Sequence, residues 1–259
     1  EDVPRKRTIF KPRLTKPNFV LSVLVNAVRL TVLLIVLCGL ALAGAVVGIA
    51  KGYMETAPTL DLALLDDQDK TSFLYDAQGN VITDYKGTEN RIMANISLMP
   101  ENLRNAFVAV EDARFYTHNG IDIKRIIGSF IQNFVSGTQQ GGSTITQQLI
   151  KNNIFAGGNE DSFGEKLERK LQEQYLALQL EKIMDKEIIL KNYLNTINLG
   201  NNTLGVKSAA KRYFGKDVSD LTLSEATVIA GITQNPTKYN PLSEKGQKNN
   251  EEKRRVILQ

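Results

Sequence analysis

One cysteine and one histidine are all that the 259 residues hold of either type. The cysteine, Cys38, sits in a long apolar run, and a single thiol cannot staple the chain to itself. With His118 the only imidazole, a His/Cys zinc centre is excluded as well. Strand pattern is scarce. Residues 72–76 and 80–85 flank Ala77-Gln78-Gly79 and read as a hairpin, the only convincing β signal in the chain. Net charge is low too, at +4, and it is unevenly held. Arg5, Lys6, Arg7, Lys11, Arg13, Lys16 and Arg29 face only Glu1 and Asp2, a local +5, so the other residues sum to −1. The basicity belongs to a tail, which leaves no basic face for nucleic acid.

What the sequence does have begins with residues 30–50, free of charge between Arg29 and Lys51. At 1.5 Å per residue they span about 31 Å, enough to cross a bilayer. The run exceeds a signal-peptide core of about 7–15 residues, and a core helix is rarely apolar all round at this length. The basic flank predicts residues 1–29 as a cytoplasmic tail and everything after residue 50 outside. Gly44 and Gly48 match a weak helix-pairing pattern. Residues 51–99 read as a linker with the hairpin. Its Asp67-Gln68-Asp69 resembles a metal-holding Asp-x-Asp, a three-residue match set aside as chance in an acidic linker.

From residue 100 onward the pattern is helical. Leu103, Ala106, Phe107 and Val110 lead into Glu111 at helical spacing, and Ile123, Ile126, Ile127, Phe130, Ile131 and Phe134 form a second, very apolar stripe. That stripe fits either core packing or a surface leaning on a membrane. Helices are predicted at 164–183, 186–195, 204–214 (closed by Gly215) and 223–232, with Thr222 and Glu225 as a capping box, and a last one from about Gly246.

Two stretches carry chemistry. In residues 111–120, Glu111 and Asp112 follow the apolar helix and precede Phe115, His118 and Gly120. An acid ending a buried helix is a candidate general base; the same residues also read as two solvated acids and a turn histidine. In residues 141–152, a glycine pair and Ser143 precede a helix start at Thr144, with Gln147 three residues on. Thr144, Gln148 and Lys151 share a face of that helix. Such a face, with free N–H groups at the helix start, reads either as a site for an anion or as an ordinary solvated face. On the next helix, Arg169 and Glu173 are one turn apart and read as a surface ion pair.

Together these residues resemble a family. Glu111-Asp112 with Phe115, His118 and Gly120, then residues 141–152, then Arg169-Lys170-Leu171-Gln172-Glu173 resemble three successive motifs of the peptidoglycan glycosyltransferases (glycosyltransferase family 51), as found in class A penicillin-binding proteins. Ile189-Leu190 with Tyr193-Leu194-Asn195, and Ala230-Gly231 with Gln234-Asn235-Pro236 and Tyr239-Asn240-Pro241, resemble a fourth and fifth. Lys191, where Glu is common, and Thr203-Leu204-Gly205, where an aromatic-Gly pair is usual, depart from the pattern.

The resemblance implies a mainly α, lysozyme-like domain over residues 100–259, carried by one transmembrane helix. It implies polymerisation of lipid II into β-1,4-linked glycan outside the cytoplasmic membrane, with inversion and release of undecaprenyl pyrophosphate. Glu111 would be the general base, and Glu173 a second catalytic acid that orients groups or holds a divalent cation (Mg2+ or Mn2+). No organic cofactor is implied. Asp112, Phe115, His118, Thr144, Gln148, Lys151, Asn152, Arg169 and Lys170 would bind substrate, with Lys151, Arg169 and Lys170 on phosphate. The implied partners are lipid II, the lipid-linked glycan chain and the membrane, with a homodimer or a cell-wall synthesis complex open and no nucleic acid. The first rival is a lysozyme-like hydrolase acting on the same polymer; the second is a non-catalytic membrane scaffold, which has no obvious need for Glu111 and Glu173. Ser208-Ala209-Ala210-Lys211 mimics a transpeptidase nucleophile without its companion motifs and is set aside. Residues 253–259 stop inside a helical pattern, so a following transpeptidase domain is expected.

Overall fold

The computed structural model describes residues 19–63, 72–85, 90–137, 141–155, 158 and 160–258. The basic residues before Asn18 and the acidic cluster at 67–69 lie outside the described residues. Two compact units divide the chain, Glu1–Gly52 and Tyr53–Gln259.

Helix α1 runs Phe19–Glu55, and none of its residues is buried. Among the described residues it is the one helix long and apolar enough to cross a membrane. It extends past the predicted span at both ends. Residues 19–28 are apolar apart from Ser22 and Asn26, and a single charge such as Arg29 interrupts a hydropathy run without breaking a helix.

The second unit is mainly helical. Strands β1 (Ser72–Tyr75) and β2 (Val81–Tyr85) pair antiparallel as the predicted hairpin. A second pairing was not foreseen: β3 (Asn90–Arg91) runs parallel to β4 (Thr203–Leu204). Two-residue strands are too short to show an alternating pattern. The helix predicted from residue 204 therefore begins later, because Thr203 and Leu204 belong to β4 and Gly205 turns the chain at φ +78°. A Cβ at Gly205 would lie 2.6 Å from the Asn195 carbonyl oxygen, which accounts for glycine there.

The helices are α2 (Glu101–Glu111), α3 (Ile123–Ser136), α4 (Ile145–Ile154), α5 (Phe163–Ile183), α6 (Lys186–Thr196), α7 (Val206–Phe214), α8 (Leu223–Ile232) and α9 (Glu244–Ile257). Capping boxes open α4 (Thr144 with Gln147), α5 (Ser162 with Glu165) and α8 (Thr222 with Glu225). The core gathers Leu103 and Phe107 of α2, Ile145 and Leu149 of α4, Leu176 and Leu180 of α5, Leu190 and Tyr193 of α6, and Ile229 of α8. Helix α2 packs on α8, and α4 packs on both α5 and α6. The end of α2 and the start of α4 are joined by the Ile145 N–H, which donates to Asp112 Oδ2 at 3.0 Å. Helix α3 stands apart, with no buried residue and with Ile123, Ile127, Phe130, Ile131, Phe134 and Val135 exposed. Core packing is thereby excluded for its apolar stripe.

Gly120 closes the connection after α2 at φ +89°, where a Cβ would sit 2.6 Å from the Ala177 carbonyl of α5. Its own carbonyl accepts the Thr144 hydroxyl at 2.6 Å. Gly120→Ala is expected to cost about 2 kcal/mol or more in denaturant unfolding, since it combines a left-handed backbone with a backbone clash. Gly141→Ala, which meets open space, serves as the control and should change little.

Candidate active site

Helix α2 ends on Glu111, whose side chain is almost wholly buried. Its Oε2 accepts from Gln148 Nε2 at 2.7 Å, and its Oε1 accepts from the Thr233 hydroxyl. Gln148 lies one turn into α4, and Thr233 is the residue that ends α8. The Glu111 main-chain carbonyl, left free at the helix end, accepts from the Arg125 guanidinium of α3. Three helices thus converge on one residue of a fourth. Both groups that donate to the carboxylate are neutral, so they hold it in place without cancelling its charge.

Asp112, Phe115, His118 and Thr144 form the support behind Glu111. Asp112 Oδ2 accepts from His118 Nε2 at 2.9 Å and from the Ile145 main-chain N–H at 3.0 Å, so a buried carboxylate anchors the start of α4. Phe115 is fully buried, edge-on to His118, with Lys186 Nζ 4.4 Å from its ring centre. Thr144 is fully buried as the N-cap of α4. The resemblance counted all four as substrate-binding; none of them lines the cleft in front of Glu111. His118 holds Asp112, in keeping with a structural role.

A second cluster forms where α5 passes α4. Glu173 is fully buried, with Arg169 on Oε1 and Lys170 Nζ 2.7 Å from Oε2. The Arg169–Glu173 pair, expected at the surface, is buried, because the turn of α5 that carries it packs inward alongside Gln172. Arg169 Nε lies 2.7 Å from Glu160 Oε1, and Lys170 Nζ also reaches Ser143 Oγ at 3.2 Å. Lys151 approaches from α4, and Asn152, next to it in that helix, is partly exposed. Burial, then the charges of Lys170 and Arg169, pull the Lys151 ammonium below the ordinary lysine pKa, with Glu173 and Glu160 opposing. Three cations here face two carboxylates, and an arriving anion would relieve their mutual repulsion.

The fit to a divalent cation is poor at Glu173, since both of its oxygens are taken by cations. Among the described residues no group of three or more metal-ligating acids, histidines or cysteines comes together.

In front of Glu111 and Gln148 opens a cleft of about 860 Å³. Arg114, Lys124, Arg125, Lys238 and Lys253 line it, and Glu111 is the only acid among its lining residues. Such a cleft attracts anions. Gln234, Asn235 and Tyr239 of the fifth motif also line it, as does Ser143 of the second. Sequence reasoning missed Thr233 and all five of these cations. For Arg125 a signal existed: residues 125, 128, 129 and 132 recur at helical spacing opposite the apolar stripe of α3, and all four line the cleft. Ser208, set aside above, accepts the Ile92 N–H at 2.8 Å in a purely structural contact.

Residues 78–259 match the family model described as Transglycosylase. Penicillin-binding protein 1A of Clostridium perfringens (strain 13) is 47% identical over 210 residues, 79% of this chain and 30% of that protein. Penicillin-binding protein 1A of Streptococcus pneumoniae (strain R6) is 37% identical over 220 residues, 85% of this chain and 30% of that one. A crystal structure of penicillin-binding protein 1A from Haemophilus influenzae matches with 25% identity and a TM-score of 0.35, over 74% of this chain and 17% of its own. The chain spans less than a third of the length of the first two relatives.

The lowered Lys151 pKa yields a stability prediction. A folded-state lysine pKa below the unfolded value means that the charge costs stability at every pH below the folded pKa. That cost fades as pH rises from the folded value to the unfolded one. Lys151→Met should therefore leave the thermal midpoint near neutral pH unchanged or raised, while weakening binding of diphosphate-bearing ligands. A lowered midpoint would contradict the assigned strain.

Proposed function

The chain belongs to the transglycosylase family, and we propose that it is a peptidoglycan glycosyltransferase. Its substrate is lipid II, its product a β-1,4-linked glycan strand on undecaprenyl pyrophosphate, and the reaction inverts the anomeric carbon. The observation that carries this reading is an ionisable carboxylate, Glu111, held by neutral donors at the floor of a cation-lined cleft.

In this reading Glu111 takes the proton from the acceptor sugar hydroxyl. The freed electron pair forms the new bond to the donor anomeric carbon, and the bond from that carbon to the phosphate oxygen breaks with its pair on the diphosphate. Lys151, Arg169 and Lys170 supply positive charge for the leaving group. Glu173 keeps Arg169 and Lys170 aligned; with both its oxygens engaged, no step is assigned to a metal there. The order of parts along α4 supports the assignment, since Gln148 holds the base and Lys151, one turn on, joins the cation cluster.

The basic residues before α1 support a topology with the N-terminus in the cytoplasm and the catalytic unit outside. The exposed apolar face of α3 supports contact with the membrane that carries the substrate.

The direct test is incubation of the detergent-solubilised protein with labelled lipid II, with products resolved on a gel. Glu111→Gln keeps size and hydrogen bonding but accepts no proton, and should lose about 10²–10⁴-fold in rate with the fold intact. A near-normal rate would remove Glu111 from the role of base. Glu173→Gln should behave differently. It strands Arg169 and Lys170, so the unfolding midpoint falls along with the rate. For topology, Glu252→Cys should react with an impermeant maleimide on intact cells; labelling only after lysis would reverse the orientation.

A further inference from the structure

Thr233 stands one residue beyond the end of α8. Its hydroxyl has a single proton and two acceptors in reach, Glu111 Oε1 and the Ala230 carbonyl oxygen at 2.9 Å. One O–H serves one strong acceptor at a time. Ala230 lies in the last turn of α8, where carbonyls lack a partner within the helix, and the Thr233 main-chain N–H reaches it only at 3.4 Å. Both acceptors therefore compete for the same proton. The charge on Glu111 decides between them, because a carboxylate is the stronger acceptor and a neutral carboxyl oxygen the weaker.

We propose that Thr233 is a positioning residue for the base: its hydroxyl grips Glu111 while that side chain is ionised and turns to the Ala230 carbonyl when Glu111 takes up a proton. This rests on the reading of Glu111 as general base. The proton balance is simple. The acceptor sugar O–H breaks and its proton goes to Glu111, while the oxygen keeps the electron pair that makes the glycosidic bond. Thr233 gives up nothing; its O–H only rotates.

The contrast with Gln148 explains why a hydroxyl suits this position. The Gln148 amide N–H that holds Oε2 remains a donor whatever the state of Glu111. A fixed donor favours the charged form and so opposes proton uptake. A hydroxyl with a second acceptor in reach orients the carboxylate equally well. When the carboxylate is neutralised it has somewhere to go, and no buried donor is left unpaired. The helix end provides that second acceptor through the geometry of Thr233 itself, three residues after Ala230.

The rival role is a plain helix cap, which would affect the stability of α8 and not the chemical step. Thr233→Val keeps the shape and removes the hydroxyl; Thr233→Ser keeps the hydroxyl. Both are compared with wild type and Glu111→Gln in the full chain, using labelled lipid II. Thr233→Val should lower kcat about 10- to 100-fold, the scale of one charge-assisted hydrogen bond to a reacting group, with KM within about twofold. Thr233→Ser should restore kcat to within about threefold. Should valine disturb α8, Thr233→Ala makes the same comparison. If Glu111→Gln is inactive while Thr233→Val and Thr233→Ala keep wild-type kcat, the positioning role falls and the base assignment stands. A loss that serine does not restore, or one carried by KM, also overturns it. An active Glu111→Gln brings down the base assignment and the role of Thr233 together.

Discussion

A carboxylate placed at the end of one helix and clasped by side chains from two others is the constraint on which the rest of this unit depends. Glu111 ends α2, where its own carbonyl has no helical partner and its side chain leaves the core. Gln148 can reach it only if α4 starts where Asp112 and the Thr144 cap hold it. Thr233 can reach it only if α8 ends where its packing on α2 brings it. The buried interior of Leu103, Phe107, Leu149, Tyr193 and Ile229 is thus more than a source of stability. It sets the relative positions of three helix ends to the fraction of an ångström that hydrogen bonds require.

Much of this was legible in the sequence, and the boundary is physical. Helices announce themselves by periodic apolar residues and by their caps, so the Thr144–Gln147 and Thr222–Glu225 boxes were readable and appear as read. The same local logic would have found Ser162 with Glu165, and it recovered the pairing of Arg169 with Glu173. It could not reveal that this pair is buried, since burial depends on how α5 packs and not on a four-residue spacing. Contacts across long separations were out of reach. Thr233 and Glu111 are 122 residues apart, and β3 and β4 pair across a similar gap with two residues each. Asp112, Phe115, His118 and Thr144 were read as part of the site by resemblance. In the structure Asp112 and Thr144 hold the start of α4, His118 holds Asp112, and Phe115 packs against His118.

Charge is organised by the same economy of position. The Glu173 carboxylate lies fully buried between Arg169 and Lys170, a placement that costs desolvation and is tolerable only because every oxygen is matched. What remains is Lys151, held near two other cations with its charge disfavoured, a strain that a bound anion removes. The cleft before Glu111 has the opposite arrangement, with five cations around one acid whose hydrogen-bond donors, Gln148 and Thr233, are neutral. In one cluster the acid is spent on fixing cations; in the other the acid is left chemically available. That difference in partners, and not a difference in residue type, separates the settings of the two glutamates.

Helix α3 joins these features to the surroundings. Its inner face supplies Arg125, Gly128, Ser129 and Gln132 to the cleft, while Ile127, Phe130, Ile131 and Phe134 on the outer face have no protein partner covering them. A helix with both faces so distinct suits a boundary where one side meets water and ions and the other an apolar phase. Arg125 ties it to the C-terminal end of α2 through the Glu111 carbonyl, and its N–H is capped by Asp122, which also accepts from Arg114 at 2.7 Å. The wall that would lie against lipid is therefore mechanically continuous with the residue proposed as the base. For a substrate with an apolar tail and a charged head, such a wall puts the boundary between the two phases at the edge of the cleft. On the function proposed above, the lipid tail would stay in its own medium while the diphosphate and sugar enter the charged one.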